Sequence, residues 1–124
     1  MSSTIDEIGR IIDLLRHRPN VLLIGADEAI ESAMSEFEPW LLRPVHAVSY
    51  NKHAFTTTIF PTLLIRNVNE LTWPQQEQLA AFIGATGGKV QVISTSRDPL
   101  YPDVCRGLFL QTLYYRLNGV VLHV

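Results

Sequence analysis

Basic clusters, cysteine pairs and long apolar runs are all missing from this 124-residue chain. Its lysines and arginines are scattered, so it lacks the basic stripe that a nucleic-acid surface needs. The single cysteine, Cys105, cannot form an internal disulfide, which fits a reducing compartment. No apolar run approaches the roughly 20 residues that span a bilayer, and the N-terminus has no signal-peptide pattern. These absences predict a cytoplasmic protein that binds neither nucleic acid directly nor membrane.

Patterns typical of catalytic and metal sites are scarce as well. The histidines show no short spacing of the kind that metal ligands have, and no Gly-x-Ser-x-Gly motif marks a serine nucleophile. Apolar side chains, in contrast, are abundant, at 47% of the residues against 18% charged. This proportion suffices for a hydrophobic core, so we expect residues 1–124 to form one folded domain.

Apolar patterning alternates between strands and helices along the chain. Asp27 is expected to cap the second helix and Pro39 to end it, Gly84 to follow the third helix, and residues 51–60 to form a loop. Strands buried on both faces, alternating with helices, predict an α/β fold with a parallel sheet. Helices are also predicted over 5–15, 73–83 and 103–116, and strands over 21–24, 45–49, 62–65, 90–94 and 119–124.

The turn after the first strand is the first candidate for chemistry, because ligands of parallel sheets bind beyond the carboxyl ends of the strands. From Gly25 to Ser32 the sequence is G-A-D-E-A-I-E-S, with one glycine and three carboxylates. A phosphate cradle needs several glycines, whose backbone N–H groups converge, and a lysine. The acidic residues instead favour a helix start that is stabilised by its own carboxylates.

The other strand ends offer few groups for nucleotide chemistry. Arg66 and Asn67 follow the third strand and provide no carboxylate for magnesium, while Glu70 is expected to begin the next helix. Hydroxyl groups follow the fourth strand within residues 94–98, and they are ordinary loop residues as much as anion ligands. Arg66 and Arg97 are therefore the basic residues on which a rebuilt nucleotide site would rest.

The last third of the chain carries a specific motif. From Gly107 to Asn118 it reads G-L-F-L-Q-T-L-Y-Y-R-L-N, which resembles the G-x-F-R-x-D-L-Y-Y-R-L-N stretch of sigma-54-dependent transcriptional activators, the bacterial enhancer-binding proteins. I-S-T-S-R-D from Ile93 looks like the family's I-A-A-T-N-R-D. P-T-L-L-I-R-N-V-N-E-L from Pro61 is similar to its Walker B segment, G-T-L-F-L-D-E-I-G-E-L. V-L-L-I-G from Val21 opens like its Walker A strand, and the matches keep their order.

The residues that handle ATP in that family are replaced in this chain. Its phosphate-binding lysine falls on Glu31, and two of its loop glycines fall on Glu28 and Ile30. Its Walker B aspartate and glutamate fall on Arg66 and Asn67. Phosphoryl transfer rests on positioning and charge neutralisation, so the resemblance does not imply ATPase activity.

Further positions of the family also differ. Its sensor asparagine falls on Ser96 and the first of its two arginine fingers on Leu110, whereas the second is kept as Arg116. The G-A-F-T-G-A loop that contacts the sigma factor is missing between the first and third strands. The helical lid and the helix-turn-helix that follow the core in the family are not found in this sequence.

The resemblance implies a three-layer parallel sheet of AAA+ type, with strand order 5-1-4-3-2 and no lid domain. It also implies a catalytically inactive regulatory or protein-interaction module in transcription, without catalytic residues, nucleotide cofactor or metal. The candidate contact residues are Arg116, Tyr115 and Arg106, which lie on the last predicted helix. The partner would be a protein, either an active AAA+ activator or a second copy of the chain in a dimer.

Three alternatives stay open at this point. The chain could bind nucleotide or hydrolyse ATP at a rebuilt site that uses Arg66 and Arg97. It could be a phosphoacceptor of receiver type with Asp27 and Glu28 as its acidic pair, although no aspartate ends the third strand. Arg116 could form a salt bridge within its helix or to a neighbouring strand instead of contacting a partner.

Overall fold

A sheet of five parallel strands forms the centre of the domain. The computed structural model describes residues 17–48 and 60–124. The strands lie in the order β2-β3-β4-β1-β5, which confirms the predicted order, and every neighbouring pair is parallel. The strands are β1 (Val21–Ile24), β2 (Val45–Val48), β3 (Thr62–Ile65), β4 (Gln91–Ser96) and β5 (Val120–His123).

Helices and short turns connect these strands. The predicted helix over residues 5–15 lies outside the described residues, as does most of the predicted loop over 51–60. The helices are α1 (Asp27–Phe37), α2 (Trp73–Thr86), α3 (Tyr101–Cys105) and α4 (Gln111–Leu117), and 3₁₀ turns cover Glu38–Trp40 and Val68–Glu70.

The side chains of β1 divide between two cores, one on each face of the sheet. Val21 and Leu23 pack with the apolar side of α1, whereas Leu22 and Ile24 pack with residues of α2 and α4. This division follows from the strand geometry, because successive side chains point to opposite faces. The result is the predicted three-layer arrangement of helix, sheet and helix.

The predicted helix over 103–116 is interrupted in the structure. α3 ends at Cys105 and α4 begins at Gln111. Between them Gly107 has a φ of +74°, in the left-handed region that glycine enters without the clash of a Cβ. The uninterrupted helix was wrong because the apolar spacing continues across the break, with Val104 and Leu113 packing into the same core.

α2 begins at the predicted residue, Trp73, but extends beyond its predicted end. It runs past Gly84 to Thr86, and its C-cap residue Gly87 has a left-handed φ of +58°. At its start, Thr72 Oγ1 accepts a hydrogen bond from the Gln75 N–H at 3.4 Å, and Gln75 Oε1 accepts one from the Thr72 N–H at 2.9 Å. This reciprocal capping box fixes the start of the helix after Glu70, which lies in the preceding 3₁₀ turn.

β4 is longer than predicted and unusually polar. It ends at Ser96, beyond the predicted end at Ser94, and the side chains from Ser94 to Ser96 are buried. Ser94 Oγ donates to the Val21 carbonyl oxygen at 3.4 Å, and Thr95 Oγ1 accepts the N–H of Asn67 at 2.9 Å. Because backbone groups satisfy these hydroxyls, polar residues can occupy the central strand without an unpaired buried group.

Candidate functional site

The carboxyl ends of β1, β3 and β4 meet at one edge of the sheet, where a parallel fold places its ligands. Asp27, the first residue of α1, lies close to this edge because it comes soon after the end of β1. We call the side chains gathered here the strand-end site. Its members are Asp27, Glu31, Arg66, Asn67, Thr95 and Arg97.

No open loop separates β1 from α1. The N-cap of α1 is Ala26, which makes no side-chain cap, so the expectation that Asp27 caps the helix was wrong. The Ile30 N–H donates to the Ala26 carbonyl oxygen at 2.9 Å, which places residues 27–30 in the first helical turn. The backbone here therefore has helical geometry, and it does not curl into the concave nest of N–H groups that holds a phosphate.

Glu31 forms an ion pair with Arg66 across the strand-end site. Arg66 Nη1 is hydrogen-bonded to Glu31 Oε1, and Arg66 Nη2 donates to Glu31 Oε2 at 3.3 Å. This two-point contact fixes the orientation of both groups as well as their charges.

A second ion pair joins the same helix to a different strand end. Arg97 Nη2 donates to Asp27 Oδ2 at 3.0 Å. Asp27 and Glu31 are four residues apart, so both carboxylates lie on one face of α1. α1 is thereby tied to the end of β3 through Arg66 and to the end of β4 through Arg97.

A cavity of about 240 Å³ opens between α1 and the strand ends. Asn67 stands at its wall with a left-handed backbone (φ 57°, ψ 49°). The two carboxylates of α1 face the cavity with the guanidinium of Arg66, so the lining carries a net negative charge. An oligophosphate in this cavity would be repelled by like charges. The lining residues are Asp27, Ile30, Glu31, Arg66, Asn67 and Thr95.

Ser96 and Leu110 both make hydrogen bonds within the domain. Ser96 is buried, and its hydroxyl donates to the Asp98 carbonyl oxygen within the turn after β4. Leu110 is half-buried at the N-cap of α4, where its N–H donates to Gln76 Oε1 at 2.7 Å.

Arg116 is partly buried and reaches from α4 to α2. Its Nη1 donates to the Ala80 carbonyl oxygen. The guanidinium lies over Gly84, where a Cβ would come within 2.3 Å of Nη1. This close approach accounts for a glycine inside α2, which costs about 1 kcal/mol relative to alanine. Arg116 forms no salt bridge with a described residue, and its role as a contact residue stays a prediction.

The other two predicted contact residues, Tyr115 and Arg106, are exposed. Tyr115 is 59% exposed and Tyr101 54%, and their rings flank Tyr114 at centroid distances of 5.3 and 5.9 Å. Arg106 projects from the end of α3, with only a distant contact of 3.9 Å to Asp103. We call Tyr101, Tyr114, Tyr115 and Arg106 the tyrosine surface.

The hydroxyl end of this surface contacts Cys105, an exposed free thiol. The hydrogen bond and charge interaction with Cys105 raise the pKa of the Tyr101 phenol above its ordinary value, with a smaller contribution from Tyr115. Because a higher pKa favours the neutral phenol, Tyr101 is uncharged at neutral pH. The surface therefore offers the neutral phenol of Tyr101 among its exposed groups.

Gln76 is a buried polar residue that the sequence analysis did not identify. Its Nε2 donates to the carbonyl oxygens of Leu71 and Leu108 at 3.1 and 3.2 Å, and its Oε1 accepts the Leu110 N–H. The amide thus holds the segment between α3 and α4 against the start of α2. The sequence does contain a signal for the burial of Gln76, because this residue falls on the same face of the helix as the buried Leu79.

Asn20 is a second unpredicted polar residue, placed just before β1. Its Nδ2 donates to the Arg116 carbonyl oxygen at 2.8 Å, and its Oδ1 accepts the Val92 N–H at 2.8 Å. Gly119 approaches the Asn20 backbone so closely that a Cβ would lie 2.6 Å from its carbonyl oxygen. Asn20 therefore connects β4 to the end of α4.

Within residues 17–48 and 60–124, no three histidine, cysteine or acidic side chains are grouped as a metal site would require. No helix in this part of the chain combines the length and apolar character needed to cross a bilayer.

A five-stranded parallel sheet in the order β2-β3-β4-β1-β5, with helices on both faces, is the core of the AAA+ fold. NtrX from Brucella abortus in complex with ADP matches 96% of this chain at a TM-score of 0.74 and 16% identity. NtrX in complex with ATP matches 97% at 0.70 and 17% identity. A DNA polymerase III gamma subunit-related protein from Thermotoga maritima matches 94% at 0.60 and 9% identity. The alignments cover 35% of each NtrX chain and 46% of the polymerase-related chain.

These structures share so little sequence with the chain that they show its fold alone. The family assignment rests on a match to the model of a protein family. The model of the Sigma-54 interaction domain matches residues 2–124. The chain therefore belongs to the sigma-54 interaction domain family, which confirms the resemblance predicted from the Gly107–Asn118 motif. A comparison with curated proteins gave no match.

Proposed function

We propose that this domain is a catalytically inactive member of the sigma-54 interaction family and acts as a regulatory protein-binding module in transcription. The observation that carries the proposal is the ion pair between Glu31 and Arg66. At these positions the resembling family uses a lysine for phosphate and an aspartate for the magnesium side. Here the two charges are exchanged and neutralise each other, so neither serves the phosphates or the metal.

Two further features of the strand-end site support inactivity. α1 begins at Asp27, so only Gly25 and Ala26 separate β1 from the helix and no glycine-rich loop is present to wrap a phosphate. Asn67 stands where the family has its glutamate, and an amide cannot accept a proton from an attacking water as a carboxylate can. Binding, charge neutralisation and activation of the nucleophile are therefore weakened together.

We expect ATP and ADP with magnesium to leave the melting temperature of the purified domain unchanged at millimolar concentration. A nucleotide present at 100 times its dissociation constant would add roughly 2.7 kcal/mol to the free energy of unfolding. For a domain of this size, that gain raises the melting temperature by several degrees. The nucleotide-binding core of NtrX, titrated in the same buffer, provides the positive control. A saturable rise for the wild-type domain would contradict inactivity and favour the rebuilt nucleotide site.

We propose the tyrosine surface as the contact region of this module. Tyrosine and arginine are enriched among the residues that dominate binding energy in protein interfaces. Tyr101 and Tyr115 expose their rings, and the ion contact of Arg106 with Asp103, at 3.9 Å, is a long one. The proposed partner is the AAA+ domain of an active activator or a second copy of this chain. The exposed thiol of Cys105 is consistent with the cytoplasm as the proposed compartment.

The double substitution Tyr115→Ser and Arg106→Glu is expected to weaken this association at least tenfold, equivalent to about 1.4 kcal/mol. Sedimentation velocity over a concentration series measures self-association, and the ATPase rate of an added active activator domain measures the mixed complex. Leu42→Ser is the matched control, since Leu42 is 50% exposed and follows the 3₁₀ turn after α1. Equal association of the double variant and the wild type would exclude the tyrosine surface.

A further inference from the structure

The two ion pairs of the strand-end site share one arrangement. Both carboxylates come from one face of α1, and each guanidinium follows a different strand. Arg66 follows β3 and Arg97 follows β4, which are neighbours in the sheet. Asp27 and Glu31 are like charges one helical turn apart, a spacing that is mildly unfavourable unless each charge has its own partner. The helix therefore presents two anionic groups to two cationic groups at the carboxyl edge.

We infer that Asp27 and Glu31 are built-in anions that occupy Arg66 and Arg97 and so keep an oligophosphate site at the strand ends closed. This autoinhibitory contact rests on the proposed function in one respect, because the wild-type domain must leave nucleotides unbound. The inference adds a reason why the wild-type domain leaves nucleotides unbound. It also names the class of ligand that the site would accept once the carboxylates of Asp27 and Glu31 are neutralised.

If the carboxylates of Asp27 and Glu31 were neutralised, the guanidinium groups of Arg66 and Arg97 would be left without their partners, and these groups indicate the ligand class. Guanidinium groups bind phosphate and carboxylate oxygens in a two-point geometry, and Arg66 already makes such a contact with Glu31. The Thr95 hydroxyl lines the same cavity. The cavity of about 240 Å³ lies between α1 and the strand ends, where Asp27 and Glu31 now contribute negative charge. An anion with several phosphoryl groups matches the positive charge of the two arginines.

The paired side chains are exposed to water, so the two ion pairs can close the site although the fold does not depend on them. The side chains of Arg66 and Glu31 are 47% and 54% exposed. Ion pairs this exposed to water contribute little to stability. A covalently attached carboxylate nevertheless competes well with a dissolved anion, because it is always present next to the guanidinium. Neutralising the carboxylates is therefore expected to open the site and leave the domain folded.

The test compares two variants that each remove two negative charges from α1. In Asp27→Asn with Glu31→Gln, the arginines lose their carboxylates. In Glu28→Gln with Glu36→Gln, they keep them, since neither residue forms an ion pair within the described part of the chain. Tripolyphosphate is titrated against both variants and the wild type, and the melting temperature is followed. We expect a saturable rise of several degrees for the first variant only.

Adding Arg66→Gln and Arg97→Gln to the first variant is expected to abolish the rise. A response of Asp27→Asn with Glu31→Gln no larger than that of Glu28→Gln with Glu36→Gln overturns the inference. If the wild-type domain binds tripolyphosphate and magnesium nucleotides equally well, both the closed anion site and the proposed function are rejected. If the wild type binds neither and the neutralised variant also binds nothing, only the closed anion site is rejected.

A charge exchange provides a second measurement that does not depend on the neutralised variant. Glu31→Arg and Arg66→Glu are each expected to lower the melting temperature, because each places like charges together at the end of β3. The two substitutions combined are expected to recover most of the loss, since they restore an opposite pair. Purely additive losses would show that the side chains of Glu31 and Arg66 do not interact, and would overturn the inference.

Discussion

Replacement of Gln76 by methionine is expected to lower the free energy of unfolding by about 3 kcal/mol. Methionine preserves the volume and the apolar packing of the side chain, so the loss comes from hydrogen bonds rather than from a cavity. The Leu110 N–H and the carbonyl oxygens of Leu71 and Leu108 would each lose their bond to the amide. Urea unfolding followed by circular dichroism measures the loss, and the denaturant dependence is expected to stay unchanged.

Gln76→Glu is the matched control for this prediction. Glutamate keeps an oxygen that accepts the Leu110 N–H, but its ionised form cannot donate to the two carbonyl oxygens. Burial raises the pKa of such a carboxyl group above its unfolded value, so the protonated form is favoured in the folded state. The stability deficit should therefore shrink as the pH falls and grow as it rises. A deficit independent of pH would mean that the amide of Gln76 is not enclosed as described.

Substitution of Asn20 by alanine is expected to cost about 2 kcal/mol in the free energy of unfolding. The substitution leaves the Val92 N–H without its acceptor in a fully buried strand, and it removes the donor to the Arg116 carbonyl oxygen. Both losses act on the connection between β4 and the end of α4. The effect is therefore expected in thermal unfolding and in faster amide exchange at Val92.

The substitution Asn20→Asp distinguishes the effects of the two hydrogen bonds that the Asn20 side chain makes. Aspartate still accepts the Val92 N–H, but it cannot donate to the Arg116 carbonyl oxygen. We expect a loss of stability together with an amide at Val92 that stays protected. Fast exchange at Val92 in Asn20→Asp, or slow exchange in Asn20→Ala, would show that this amide does not depend on the Asn20 side chain.

The central strands could be predicted because their signal is local. The run Val21–Ile24 is apolar at every position, as a strand covered on both faces must be, and the structure places it inside the sheet between β4 and β5. Helix ends were less predictable. Glycine often follows the end of a helix, but Gly84 lies inside α2, where the Arg116 guanidinium occupies the space that a side chain would take. The contact comes from a residue far along the chain, so no local pattern records it.

The strand-end site was only partly predictable for the same reason. The sequence shows that Glu31 lies in the segment after the first strand and that Arg66 directly follows the third strand. It does not show that the two side chains meet, or that Asp27 reaches Arg97. The hydroxyls after the predicted fourth strand likewise resembled loop residues, whereas Thr95 is buried within β4.

The sequence by itself determined the alternation of strands and helices, the parallel sheet, and the absence of a lysine and clustered glycines after β1. These properties depend on residue type and spacing within short segments. The tertiary structure decided which charges neutralise each other and which buried amides hold the segment between α3 and α4. Those contacts join residues that are tens of positions apart, and only the packing of the helices against the sheet brings them within bonding distance.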